Sequence, residues 1–155
     1  MSFKDIFHTD FSVVNSAHAR VNLIGEHTDY TGGYVLPSLL NFKTTIQISK
    51  NESKKYKVYS EHFDEKINFT DFIKSKNNEW VDYVKGCLFV FYDENKHIPN
   101  THINIFISST IPMCRGISSS SALCVAVLKS LNSFFKTEYT EKHIAILAQK
   151  VERNY

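Results

Sequence analysis

Cysteine is too sparse and too scattered in this chain to organise a fold. Cys87, Cys114 and Cys124 are odd in number and form no C-x-x-C pair, which argues against a disulfide framework and a zinc site and leaves free thiols. Long apolar runs are missing too. None approaches the roughly 18 residues needed to cross a bilayer, and the opening MSFKDIFHTD lacks the charged-then-apolar pattern of a secretory leader, so the expected compartment is the cytoplasm. Nor is there an excess of one charge. The formal net charge is +2 and the lysines are interspersed with acids, which gives no basis for a nucleic-acid or anionic-membrane partner. What is present is an ordinary globular composition: 155 residues, 43% hydrophobic and 22% charged, with room for one domain and a real core.

Short β-rich runs occur at FSVVNS (11–16), RVNLIG (20–25), FKTTIQIS (42–49), KYKVYS (55–60) and HINIFISS (102–109). Several alternate apolar with polar residues, as half-buried strands do. Three segments read as helices: 80 to about 95, 118 to about 135, and 140 to the end. In the last, Thr140 is a candidate cap, and Ile144, Leu147, Ala148 and Val151 recur at helical spacing. Strands first and helices mostly later point to an α+β two-layer domain, not a regular parallel α/β sheet. The final helical pattern meets no Gly, Asn-rich or Pro stop signal before Tyr155, so the expectation is a chain that ends in mid-helix.

Two stretches carry chemistry. In RVNLIGEHTDYTGGYVLP (20–37), Arg20, Glu26, His27 and Asp29 cluster beside an apolar strand, and Gly32 and Gly33 supply a turn. Carboxylates and an imidazole suit a polyhydroxylated ligand, because each hydroxyl both donates and accepts and a misplaced one leaves a charge unpaired. The second stretch, SSTIPMCRGISSSSALCVAVLKSL (108–131), is a strand end, a loop and a helix start. A helix N-terminus has free N–H groups and a partial positive charge, and both stabilise an anion there. Serines can cap those groups or offer hydroxyls to a phosphate or to Mg2+. The G-K-[ST] ending of a Walker A loop is absent. Taken alone, the run at 118–121 reads more simply as a helix cap or a flexible turn.

Together the two stretches resemble a known family. RVNLIGEHTDYTGGYVLP is similar to the galactokinase signature, IPMCRGISSSSAL resembles the P-x-x-x-G-L-S-S-S nucleotide loop of the GHMP kinase superfamily, and WVDYVKGCLF (80–89) resembles a further galactokinase segment. The resemblance implies the fold of the GHMP kinase N-terminal domain, a mixed β-sheet packed with helices, and transfer of the γ-phosphoryl group of ATP to the anomeric hydroxyl of galactose. It implies Arg20 as the catalytic arginine and Glu26, His27 and Asp29 as sugar ligands. Gly116, Ser118, Ser119 and Ser120 then lie nearest the phosphates, Ser120 and Glu152 hold Mg2+, and Trp80 and Tyr83 lie near adenine. Each has a plainer alternative: a surface ion pair for Arg20 with Glu26 or Asp29, a helix charge paired with a lysine for Glu152, and core packing for Trp80 and Tyr83.

The chain departs from the family pattern in two places. Cys114 and Arg115 stand where galactokinases usually have small residues, although N-acetylgalactosamine kinases also carry non-glycine residues there, so GalNAc stays open beside galactose. The G-x-M-D motif, whose aspartate serves the anomeric hydroxyl, does not occur in 1–155. The resemblance therefore implies the N-terminal part of the enzyme, inactive without a C-terminal portion that closes over both ligands. The alternative is a non-catalytic galactokinase-like binding or regulatory module. Exposed apolar surface on the last two helices is the expected mark of a missing partner.

Overall fold

In the computed structural model, which describes residues 1–25, 31–76, 79–112 and 118–155, the alternating runs form a five-stranded sheet. In chain order the elements are α1 (Phe3–Phe7), β1 (Val13–Ile24), β2 (Leu36–Lys50), β3 (Tyr56–Ser60), β4 (Glu65–Phe69), α2 (Val81–Glu94), β5 (Ile103–Ser109), α3 (Ser119–Phe135) and α4 (Glu141–Asn154). The strand order is β1-β2-β5-β3-β4. All neighbours are antiparallel except β3 and β5, which run parallel. The sheet is therefore mixed, as the resemblance implies.

Period-two alternation sorts the side chains between the two faces. On one face, Ile46 and Ile48 of β2, Val58 of β3 and Ile103, Ile105 and Ile107 of β5 meet α2, α3 and α4 in the main core. On the other, Tyr59 and Phe106 lie opposite each other in register and pack with Phe3 of α1, with Ile6 and Phe7 partly buried against this cluster. This short helix is fixed by a capping box: Ser2 N donates to Asp5 Oδ2 at 2.7 Å, and Asp5 N donates to Ser2 Oγ at 3.3 Å. Cys87 and Cys124 are buried free thiols, and burial pushes the Cys87 thiol well up, so its thiolate chemistry is suppressed.

β1 and β2 make a ribbon longer than the sheet. β5 pairs with β2 only over 44–50, and Lys43 still exchanges hydrogen bonds with Thr110 just past β5, so within the sheet 36–42 pairs with β1 alone. That is how Pro37 fits inside a strand: it faces Asn22 next to a register irregularity, where β5 does not reach. Ala17 and Ala19 are buried on β1, and Ala19 packs with Ala122 of α3 and with Ile111. Their small side chains let the first turn of α3 come close to the strand.

α3 and α4 form an antiparallel hairpin. Asn132 closes its turn, with Oδ1 accepting from Tyr139 N at 2.8 Å and from Thr137 Oγ1 at 2.7 Å. Thr140 caps α4 by accepting from His143 N at 3.2 Å. Because the two helices run in opposite directions, the last turn of α4 lies beside the first turn of α3.

Candidate active site

The first turn of α3 enters from Ser118, whose backbone is left-handed (φ 56°, ψ 45°) and whose side chain makes no capping hydrogen bond. A non-glycine residue held in that region costs about 1–2 kcal/mol. The run of serines thus does not serve as an ordinary helix cap through Ser118, and the turn's N–H groups are not taken by that hydroxyl. Antiparallel packing brings Glu152 of α4 to this turn. Its carboxylate accepts from Ser120 Oγ at 2.7 Å and from Ser121 Oγ at 2.9 Å on each oxygen.

The serines of this turn face two sides, Ser119 and Ser120 one and Ser118 and Ser121 the other. Each side opens onto a cavity. The first, about 320 Å3, is lined by Ser119 and Ser120 together with Trp80, Tyr83, Phe63 and His62. Trp80 stacks on Phe63 (centroids 5.6 Å apart, planes at 12°) and donates from Nε1 to Glu65 Oε2 at 2.9 Å. The second cavity, about 370 Å3, is lined by Ser118 and Ser121 together with Arg20, His18 and Leu39. Arg20 is exposed and sits next to a register irregularity of the ribbon: His18 faces Lys43 but Arg20 faces Leu39. Such bulges re-aim side chains.

The sequence and the fold have known counterparts. Residues 1–50 match the model of the galactokinase galactose-binding signature, and residues 82–155 match the GHMP kinases N terminal domain. The galactokinase of Pyrococcus furiosus is 40% identical over 136 residues, 88% of this chain and 38% of that protein. That of Fusobacterium nucleatum is 34% identical over 158 residues, 99% of this chain and 40% of that protein. Among solved structures, Lactococcus lactis galactokinase complexed with galactose superposes with a TM-score of 0.87 at 33% identity, covering 99% of this chain and 40% of that one. The chain belongs to the galactokinase branch of the GHMP kinase superfamily and corresponds to its N-terminal portion. The mevalonate kinase of Methanococcus jannaschii shares the fold (TM-score 0.82, 22% identity, 91% of this chain and 46% of that one). The chain spans about 40% of the length of the galactokinases it matches.

In this galactokinase portion, the residues singled out from sequence fall into three groups. Ser118, Ser119, Ser120 and Glu152 gather at the α3 tip, with Arg20 on one side and Trp80 and Tyr83 on the other. Trp80 and Tyr83 also pack against the main core, so core packing and cavity lining are both true of them. Glu26, His27, Asp29 and Gly116 lie outside the described residues, as do Cys114 and Arg115. Sequence reading missed Phe63, His62 and Ser121. The first two lie just after β3 with no periodic signal, and Ser121 meets a partner 31 positions away.

The α3 tip offers hard oxygen ligands of the kind Mg2+ takes. Among the described residues no three His, Cys, Asp or Glu side chains gather as a metal cage, whereas Ser120 and Glu152 offer two hard oxygens 2.7 Å apart. Oxygens bound side by side to one Mg2+ at about 2.0–2.1 Å lie roughly 3 Å apart, and Mg2+ ordinarily takes its other ligands from phosphate and water. No helix among the described residues is long and apolar enough to cross a membrane.

Proposed function

We propose that this chain forms the N-terminal, ligand-gripping part of a cytoplasmic ATP-dependent sugar 1-kinase that phosphorylates the anomeric hydroxyl of galactose. The observation that carries the reading is the sharing of one helix turn by two cavities: an aromatic cavity for the nucleotide on the Ser119 and Ser120 side, and an Arg20-lined cavity on the Ser118 and Ser121 side. A triphosphate running from the first along the turn ends beside the second.

In this reading Trp80 and Tyr83, with Phe63 stacked on Trp80, line the adenine site, and the α3 N–H groups with Ser118, Ser119, Ser120 and Gly116 take the phosphates. Ser120 and Glu152 hold Mg2+, which when bound neutralises charge on the phosphate oxygens. Arg20 orients the attacking hydroxyl toward the γ-phosphate and stabilises the charge that develops during transfer. Glu26, His27 and Asp29 select the sugar by accepting from and donating to its hydroxyls. Galactose is preferred over GalNAc because the matched relatives are galactokinases. Further chain of the kind the relatives possess supplies the remaining groups and excludes water.

Calorimetric titration tests this. Galactose and Mg2+–ATP should each give saturable heats, and glucose none. Absence of heat with both galactose and Mg2+–ATP at millimolar concentration would refute the reading.

A further inference from the structure

Ser121 has a position that the motif does not explain. It lies on the Arg20 side of the turn, turned away from the nucleotide cavity, yet its hydroxyl spans both oxygens of Glu152 at 2.9 Å each. Ser120, on the nucleotide side, reaches only Oε1. Each hydroxyl carries one proton to donate, whereas a carboxylate has about four acceptor positions, so the two serines do not compete for Glu152. Their fates differ when a cation arrives. A hydroxyl that turns its lone pair to a metal releases its old acceptor, and Glu152, exposed on the last turn of α4, would then be tethered from one side only.

We propose that Ser121 is the positioning residue for Glu152: it holds the carboxylate plane toward the α3 tip while Ser120 changes partner from carboxylate to cation. The inference rests on reading the tip as a Mg2+–nucleotide site, and it adds a residue of this chain to that site. Groups that orient a metal-binding carboxylate typically matter about tenfold or more in metal affinity. The position also separates the roles of neighbours: loss of Ser120 removes a ligand, and loss of Ser121 frees one to rotate.

The test uses Mn2+–ATP as the probe and water-proton relaxation enhancement as the readout, with metal-free ATP followed by calorimetry in EDTA. Ser121→Ala favours the helix by propensity, so the variant should fold; Ser121→Thr keeps the hydroxyl. Mn2+–ATP should bind Ser121→Ala about tenfold more weakly than the wild type and Ser121→Thr within about twofold of it, with metal-free ATP unaffected in both. Wild-type affinity in Ser121→Ala, while Glu152→Gln loses the probe, would overturn the positioning role and leave the site reading standing. Equal weakening by Ala and Thr, or equal loss of metal-free ATP, would assign Ser121 to packing and also overturn it. No enhancement in the wild type would overturn the site reading and the inference together.

Discussion

Gly86 is where α2 and α4 approach too closely for a methyl group. A Cβ built there would lie 2.7 Å and 2.8 Å from Tyr155 ring carbons Cδ2 and Cγ and 2.9 Å from Val151 Cγ1. The Tyr155 ring is held in turn by its hydroxyl, which donates to the Phe72 carbonyl at 3.0 Å. Two effects oppose each other in Gly86→Ala. Alanine favours the helix by about 1 kcal/mol, and overpacking costs about 1–3 kcal/mol. With Cγ of the ring in the way, overpacking should win, giving a net loss of about 1 kcal/mol in urea unfolding. In a Tyr155→Ala background the cost of the same substitution should shrink, with the Val151 contact remaining; an unchanged cost there would show that the ring is not the obstacle.

Asp82 matters at the scale of an element, because it organises the segment that delivers Trp80 to its cavity. Its carboxylate, 1% exposed, accepts from Ser75 N at 3.0 Å, Ser75 Oγ at 2.6 Å and Glu79 N at 3.1 Å, with Lys85 at 3.5 Å. Burial opposes its ionisation, but the Ser75 hydrogen bonds and the Lys85 charge outweigh burial and hold the carboxyl below its ordinary value. A lowered folded pKa means that the folded state binds fewer protons than the unfolded chain. The contribution is therefore complete above the ordinary aspartate value of about 3.9 and lost as pH falls below it through the folded value. Asp82→Asn should cost about 1–3 kcal/mol near neutral pH and flatten the pH dependence of stability below about pH 4. Urea midpoints for both proteins across that range are the check, and parallel curves would contradict this account.

Which elements were legible from sequence follows from how local their causes are. α4 could be read because its cap and its buried stripe, Ile144, Leu147, Ala148 and Val151, sit within one helix. α1 and β4 were not read: each has five residues, too few for a period to register, and β4 (EKINF) is an edge strand with only Phe69 buried. β1 reads as two strands because Ala17 and Ala19 interrupt the β-branched run, yet α3 is the reason for their smallness. The pairing of Ser121 with Glu152 depends on the hairpin turn at Asn132, and no local pattern announces it.

For the molecule as a whole, the sheet serves as a scaffold that sets one helix tip between two cavities. Among the described residues of the last two helices, where exposed apolar surface would mark a missing partner, Ile146 of α4 is the one large exposed apolar side chain. Leu23, Ile24, Leu36 and Leu39 expose theirs on the β1–β2 ribbon, beyond the reach of β5. The ribbon also carries Arg20, so the account depends on a sugar held there lying next to phosphates held at the α3 tip. The most direct measurement is the paramagnetic relaxation of galactose ring protons by Mn2+–ATP, with both ligands bound to the chain. The account predicts that the anomeric proton H1 relaxes fastest. Uniform relaxation around the ring, or none with both ligands bound, would contradict it.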